Sequence, residues 1–243
     1  MKKPVTPYKG SSSSKKEQVT NMFDGISKQY DLLNRVISLG IDQSWRRKVV
    51  RLAGEHQPQH IIDVATGTGD LAIALKNTGA KEIIGLDISP GMLNIGAEKV
   101  KALSLDKQIN MVLGDGEKLP YEDGYFDVAT VAFGVRNFED LDKGLSEIFR
   151  VLRQGGRLLV LETAVPTRFP FKQGYQIYSG WIVPLVGRLF SRDKSAYQYL
   201  TDSAAVFPHG PAFNNILEKI GFIEVKDNPQ TLGVASIYCA TKP

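Results

Sequence analysis

Ile61-Ile62-Asp63-Val64-Ala65-Thr66-Gly67-Thr68-Gly69-Asp70 leads from a short apolar run into a glycine turn, and Leu71–Asn77 follows with helical spacing. A buried strand, a turn open to positive φ and a helix make the first half of a βαβ unit. Gly67 and Gly69 let a ligand approach the backbone closely, and the helix N-terminus behind them offers free N–H groups. Alone the turn is a weak motif. The two glycines could simply close a strand-to-helix corner, and Asp70 could be a helix-terminal carboxylate.

The neighbouring segments repeat the pattern. Glu82–Ile88 is a second apolar run, and Pro90–Lys101 reads as a helix with Pro in its first turn. Ile109–Gly114 and Phe126–Phe133 are a third and a fourth strand. Leu141–Leu152 is a helix ended by Gly155-Gly156, and Arg157–Thr163 is a fifth strand. Strands alternating with helices indicate a parallel sheet covered on both faces. Asp87 ends the second strand twenty residues after Gly67, where an acidic residue binds ribose hydroxyls in dinucleotide folds. Asp115 ends the third strand in Gly114-Asp115-Gly116. These acids lie at carboxyl ends of strands, where open α/β sheets bind ligands.

Outside this core the reading changes. Upstream, Val19, Met22, Phe23, Ile26 and Tyr30 fall at helical spacing, Gly40 breaks the run and Trp45–Leu52 resumes it, giving N-terminal helices over 17–52. Residues 1–16, rich in Pro, Ser, Gly and Lys, read as a flexible tail. Residues 164–211 interrupt the rhythm with Phe169, Phe171, Tyr175, Tyr178, Trp181, Phe190, Tyr197, Tyr199 and Phe207 among Arg168, Lys172, Arg188, Arg192 and Lys194. This stretch reads as a helical, substrate-binding insert. After it come a helix, Ala212–Ile220, closed by Gly221, and two close strands, Phe222–Asp227 and Leu232–Thr241, expected as an antiparallel hairpin. The expected fold is therefore α/β and Rossmann-like. It has a mostly parallel seven-stranded sheet within a single domain over 17–243.

Charge separates two cofactors. A pyrophosphate turn wants a third glycine near position 72, which is Ala72, and the Asp70 carboxylate beside the loop would repel a phosphate. S-adenosylmethionine has no phosphate, and its ammonium and sulfonium cations suit Asp63 and Asp70. Composition excludes other classes. The single cysteine, Cys239, rules out an intramolecular disulfide and, with three scattered His, a Cys/His zinc cluster, so no metal is expected. The net charge of +4 is spread along the chain without a basic stripe, and no Asn-Pro-Pro-aromatic motif follows the fourth strand, so no nucleic-acid partner is expected. No run of about 20 apolar residues suggests a membrane span, and no apolar run follows the basic N-terminus as in a secretory signal. A cytoplasmic protein is expected, with room for peripheral contact at the inner membrane face and for a homo-oligomer.

The Asp63–Asp70 loop, Leu86-Asp87-Ile88, Phe126-Asp127-Val128 and Arg150–Gly156 resemble the class I S-adenosylmethionine-dependent methyltransferases. A narrower resemblance covers roughly 18–240. Tyr30-Asp-Leu-Leu-Asn34 with Ser38-Leu-Gly-Ile and Trp45, Phe133-Gly-Val-Arg-Asn137, Arg157–Glu162 and Ser195–Leu200 resemble motifs of the ubiquinone/menaquinone-biosynthesis C-methyltransferases. Departures at Leu33, Asp42, Gln154 and Thr163-Ala164 leave the cofactor loop untouched.

The resemblance implies C-methylation of a polyprenylated hydroquinone, first demethylmenaquinol to menaquinol. The alternatives are 2-methoxy-6-polyprenyl-1,4-benzoquinol and a non-catalytic cofactor-binding assembly protein of a quinone pathway. It also implies cofactor contacts from Asp63, Gly67, Thr68 and Gly69, ribose binding by Asp87, and adenine recognition by Asp115 with Gly116. Arg136 and Asn137 are expected to orient the hydroquinone oxygen or a catalytic water, with Tyr30 and Asp31 closing over the site. Arg136 cannot readily act as a base, and an ion pair to Glu139 or Asp140 is the competing structural role for it. His209, between two prolines, is read as an exposed loop residue. Trp181, Ile182, Val183, Leu185 and Val186 are candidates to line a groove for the isoprenoid tail, with the basic residues of the insert meeting anionic lipid.

Overall fold

A computed structural model of the chain describes residues 5–166, 169–178, 180 and 193–243. The elements, in order, are α1 (Lys15–Ser38), α2 (Asp42–Gly54), β1 (His60–Val64), α3 (Asp70–Leu75), β2 (Glu82–Asp87), α4 (Pro90–Ala102), β3 (Ile109–Leu113) and β4 (Phe126–Ala132). They continue with α5 (Leu141–Val151), β5 (Leu152–Thr163), α6 (Phe171–Ile177), α7 (Lys194–Val206), α8 (Pro211–Ile220), β6 (Ile223–Gln230) and β7 (Ala235–Thr241). The seven strands form one sheet in the order β3-β2-β1-β4-β5-β7-β6. Neighbours from β3 to β5 pair in parallel, and β7 runs antiparallel to both β5 and β6. The expected α/β, Rossmann-like sheet with its C-terminal hairpin is thus the observed one.

Strand alternation divides the core between two sheet faces. Ile62, Val64, Ile84, Leu86, Val131, Leu158 and Val160 pack with α5 and α8 residues such as Leu145, Ile148, Phe213 and Leu217. Ile61, Ile83, Val128, Leu159 and Leu161 face the other way, onto Trp45 and Val49 of α2 and Leu71 and Leu75 of α3. Burying one such aliphatic side chain contributes about 1.5–3 kcal/mol, so a one-residue register slip in any central strand is strongly disfavoured. A third cluster joins α1 through Val19, Met22, Ile26 and Leu33 to Met92 of α4 and to Ala196, Tyr197 and Tyr199 of α7. It holds α1 over the carboxyl ends of the strands.

Polar contacts fix the same helix. Ser14 caps α1, so Lys15 and Lys16, read from sequence as tail, belong to its first turn. Asp24 Oδ1 accepts hydrogen bonds from Gly91 N–H, at 2.9 Å, and from Ser89 Oγ. At its far end α1 stops at Leu39, whose backbone is left-handed (φ 52°), followed by Gly40 (φ 74°). The break falls where Gly40 had suggested it, but the capping residue itself is a leucine.

The starts of β5 and β7 differ most from expectation. β5 starts at Leu152, directly after α5, because Phe126 of β4 pairs with Leu152 and a register shift between Phe126 and Val128 accommodates the Gly155-Gly156 pair. β7 starts at Ala235 rather than Leu232, because Leu232 has φ 60° within a 3₁₀ turn, Thr231–Gly233, which strand backbone cannot adopt. Within the 164–211 stretch, α6 and α7 are helical as expected. The groove candidates Trp181, Ile182, Val183, Leu185 and Val186, with Arg168, Arg188, Phe190 and Arg192, lie outside the described residues. Among the described residues, no helix is long and apolar enough to cross a membrane.

Candidate active site

Two clefts open at the carboxyl ends of the strands. Tyr30 of α1 and Phe133, just past β4, line both. The first cleft, of about 670 Å³, has its floor in the loops after β1, β2 and β3 and its roof in Lys16, Val19 and Phe23 of α1. The second, of about 940 Å³, lies between α1, α2, α6 and α7.

The first cleft assembles part of the expected cofactor set. Gly67, Asp87, Asp115 and Gly116 line it. Gly67 N–H donates to Asp87 Oδ2 at 2.7 Å, and Ser89 N–H donates to Oδ1 at 2.9 Å. The acid ending β2 therefore holds the glycine turn closed, while each carboxylate oxygen keeps acceptor capacity toward the cleft. Burial raises the Asp87 carboxyl above its ordinary pKa against the pull of these N–H donors. A Cβ added at Gly67 would touch only Tyr30 Cε1, at 4.0 Å, so the space over this loop is open to a ligand. Apolar walls, an acid placed for vicinal hydroxyls and, among the described residues, no cluster of cations for phosphates fit an adenosyl sulfonium compound.

Asp63, Thr68 and Gly69 do not line the cleft. Asp63 sits beneath the loop and accepts from Thr66 Oγ1 and Thr130 Oγ1, both at 2.6 Å. Its burial pushes its pKa up to about 6, with the two hydroxyls pulling the other way. Thr68 Oγ1 donates to Asp31 Oδ1 at 2.5 Å, and Gly69 (φ 78°) faces Met111. These residues shape the loop from behind. Asp70 does not offer its charge to a cofactor as expected: its Oδ1 lies 2.7 Å from Lys99 Nζ, which also pairs with Asp31 at 2.5 Å. Asp70 starts α3 and faces α4, so its charge is spent away from the cleft.

Asp115 is already engaged. Lys16 Nζ lies 2.7 Å from Asp115 Oδ2 and 3.1 Å from Glu117 Oε2. Glu117 is buried and also accepts from Glu139 N–H at 2.7 Å.

The second cleft is aromatic, with Trp45, Tyr175, Tyr178 and Tyr197 joining Tyr30 and Phe133 in its wall. Tyr178 Oη donates to Ile37 O, tying the insert to α1. Arg136 lines this cleft, its side chain 7% exposed, and pairs with Glu162 at the end of β5, which is 0% exposed. Glu162 Oε1 also accepts from Thr163 N–H at 2.8 Å. Burial would lower the Arg136 pKa, but the facing carboxylate outweighs it and holds the guanidinium above its ordinary value. Among the described residues, Arg136 Nε and Glu162 Oε2 are buried without a hydrogen-bond partner. Arg136 therefore pairs with neither Glu139 nor Asp140. Glu139 accepts from Lys15 N–H, and Asp140 caps α5 through Lys143 N–H.

Asn137 lines the first cleft. Its Nδ2 donates to Phe133 O and its Oδ1 accepts from Tyr199 Oη, both at 3.2 Å, so it braces the dividing wall. Burial raises the Tyr30 hydroxyl above its ordinary pKa although Asn34, Arg136 and Arg46 pull it down. His209 lies apart, its Nδ1 3.3 Å from Phe207 O, beside a separate hollow with Pro166 and Tyr238.

Reading the sequence missed Glu162, Lys16 and Arg46. Glu162 had a signal, a charge ending the apolar run Leu158–Leu161. Lys16 reads as tail, and Arg46 sits in an ordinary run of helix-surface cations.

Residues 11–242 match the profile of the ubiE/COQ5 methyltransferase family. A demethylmenaquinone methyltransferase from Bacteroides fragilis is 48% identical over 239 residues, covering 98% of this chain and 97% of that protein. A ubiquinone/menaquinone biosynthesis C-methyltransferase UbiE from a Geobacter species is 42% identical over 232 residues, covering 95% and 98%. Among solved structures, an S-adenosylmethionine-dependent methyltransferase from Thermotoga maritima, described as a possible histamine N-methyltransferase, superposes with a TM-score of 0.66 at 17% identity, covering 93% of this chain and 100% of that one. A Haemonchus contortus phosphoethanolamine N-methyltransferase 2 in complex with S-adenosyl-L-methionine gives 0.67 at 18% identity, covering 97% and 61%. At such identities the likeness is one of fold.

Proposed function

This chain belongs to the ubiE/COQ5 methyltransferase family and is an S-adenosylmethionine-dependent methyltransferase, and from that premise we propose that it C-methylates a polyprenylated hydroquinone, demethylmenaquinol to menaquinol. The observation that carries this reading is the shared wall. A flat aromatic cleft meets the donor cleft at Tyr30 and Phe133, with the guanidinium of Arg136 on the acceptor side.

S-adenosylmethionine, when bound, supplies an electrophilic methyl on sulfur. Asp87 binds the ribose hydroxyls through its free lone pairs, and Asp115 with Gly116 recognises the adenine. Gly67 gives close backbone approach, while Asp63, Thr68 and Gly69 hold the loop from behind. On the acceptor side the ring carbon attacks the methyl as its bond to sulfur breaks, negative charge on an adjacent ring oxygen strengthens the attack, and the carbon then gives up its proton to water as the aromatic ring is restored. Arg136 stays protonated and stabilises that oxygen inside a cleft shielded from water, where such a contact is worth more than in solvent. Tyr30, kept as a neutral hydroxyl, donates to the same region. Asn137 keeps Phe133 in place and so fixes the distance between the two clefts.

The insert over 164–211 takes the isoprenoid tail and touches an anionic membrane surface. Phe169, 81% exposed, and the half-exposed Phe171 support this. Flotation with anionic liposomes in the presence of substrate tests the contact, and a protein that stays in the bottom fraction argues against it.

The deciding assay uses methyl-labelled donor with reduced demethylmenaquinone and 2-methoxy-6-polyprenyl-1,4-benzoquinol side by side. Label in the naphthoquinol supports the reading, and label in the benzoquinol alone replaces it with the ubiquinone-pathway reaction. Donor binding without transfer to either overturns the hydroquinone reading.

A further inference from the structure

Arg136 has a counterpart in the lining of the acceptor cleft. Among the described residues, Arg46 and Arg136 are the two cations that line it. They arrive from different elements, Arg46 from α2 and Arg136 from the 3₁₀ turn after β4. Each is backed by a buried carboxylate. Arg136 has Glu162, and Arg46 Nε lies 3.4 Å from Asp42 Oδ2, with side chains 14% and 7% exposed. Asp42 is itself fixed by Ser38 Oγ at 2.7 Å. The Arg46 guanidinium lies 5.6 Å from the centroid of the Phe133 ring, on the wall that divides the clefts. Its bond to Asp42 is its one side-chain hydrogen bond among the described residues, which leaves both terminal nitrogens to donate elsewhere.

We propose that Arg46 contacts the acceptor and sets specificity, receiving the second ring oxygen of a 1,4-dihydroxyarene whose first oxygen is held by Arg136. The inference rests on the hydroquinone reading above. A flat ring between aromatic walls that is held by one oxygen can still pivot in its plane. Two oxygens at opposite ring edges, each on its own guanidinium, fix which carbon faces the donor cleft. Arg136 shares its turn with Asn137, which lines the donor cleft. Its oxygen is therefore the one beside the carbon that takes the methyl, and Arg46 takes the one beside the prenyl-bearing carbon. Because each guanidinium already carries a carboxylate, the cleft accepts a neutral diol and meets growing charge on either oxygen with a donor in place.

The test is a cycle between enzyme and substrate. Wild type and Arg46→Met are each given a reduced 2-prenyl-1,4-naphthohydroquinone and the analogue lacking the hydroxyl beside the prenylated carbon. Intrinsic ring reactivity cancels when the preference for the diol is compared between the two enzymes. The wild-type preference in kcat/KM is expected to exceed that of Arg46→Met by about 10- to 100-fold, the worth of a charge-assisted hydrogen bond. Preferences within about two-fold of each other overturn the assignment. If Arg46→Met does not fold, Arg46→Gln, which keeps a donor toward Asp42, is run through the same cycle. Wild-type turnover of the diol is the separate check on the functional reading. Its absence removes that reading and this inference together, whereas equal preferences on an active enzyme remove the inference alone.

Discussion

The ammonium of Lys16 lies 2.7 Å from Asp115 Oδ2, so the carboxylate proposed to recognise adenine is already paired with the first turn of α1. A ligand that uses Asp115 has to share it with that lysine. Both side chains are about a third exposed, 27% and 32%, and such pairs contribute at most about 1 kcal/mol. Lys16→Met keeps the apolar stem and frees the acid. It is expected to tighten S-adenosylmethionine binding by up to about five-fold and to weaken the dependence of affinity on salt. Calorimetric titration at two ionic strengths measures both, and unchanged affinity would show that the pair is not in competition with the ligand.

Arg136 and Glu162 are buried together, and removing one leaves the other charge without its partner. Glu162→Gln is expected to cost about 3–5 kcal/mol of stability, and the double change Arg136→Gln with Glu162→Gln considerably less. Urea unfolding of the two single variants and the double variant gives the coupling. Catalysis is expected to stay lost in the double variant although its fold is recovered. A double variant as unstable as the sum of the singles contradicts this.

Asp63 gives a pH signature. Its folded pKa of about 6 lies above the ordinary 3.8 of an aspartate, so the native state binds the proton more tightly than the unfolded chain. Stability from this group is present in full below about pH 4 and is lost as pH rises toward and through 6. The shift corresponds to about 3 kcal/mol at 1.36 kcal/mol per pKa unit. Asp63→Asn removes the titration, so its melting temperature relative to wild type should climb between pH 4 and pH 7. A constant difference across that range would refute the assignment.

Leu39 closes α1 on left-handed backbone while 76% exposed. A side chain there costs about 1 kcal/mol and buries little in return. Leu39→Gly is expected to raise the melting temperature by a few degrees, read in a thermal scan without ligand.

The extent to which these features were legible differs by physical cause. The sheet was readable because strand and helix periods alternate along the chain, and Asp87 because its distance from Gly67 reflects one helix and the strand after it. Asp70 misled because its partner, Lys99, lies a helix and a strand away. Glu139 and Asp140 offer Arg136 a competing ion pair because they are near it in sequence, but the 3₁₀ turn sends its side chain back to β5, and those two acids serve Lys15 and α5. Lys16 was hidden by the polar stretch before it, whose composition does not announce that Ser14 starts a helix.

Tyr30 and Phe133 belong to two clefts at once, and this links the two ligands thermodynamically. A ring position favoured by an occupant on one side is imposed on the other side. Whatever factor the methyl donor changes in the affinity for the acceptor, the acceptor returns to the donor. Dissociation constants for either ligand therefore carry meaning only with the occupancy of the other stated. The by-product left after transfer holds the same wall, so its departure and the release of the methylated ring are coupled events.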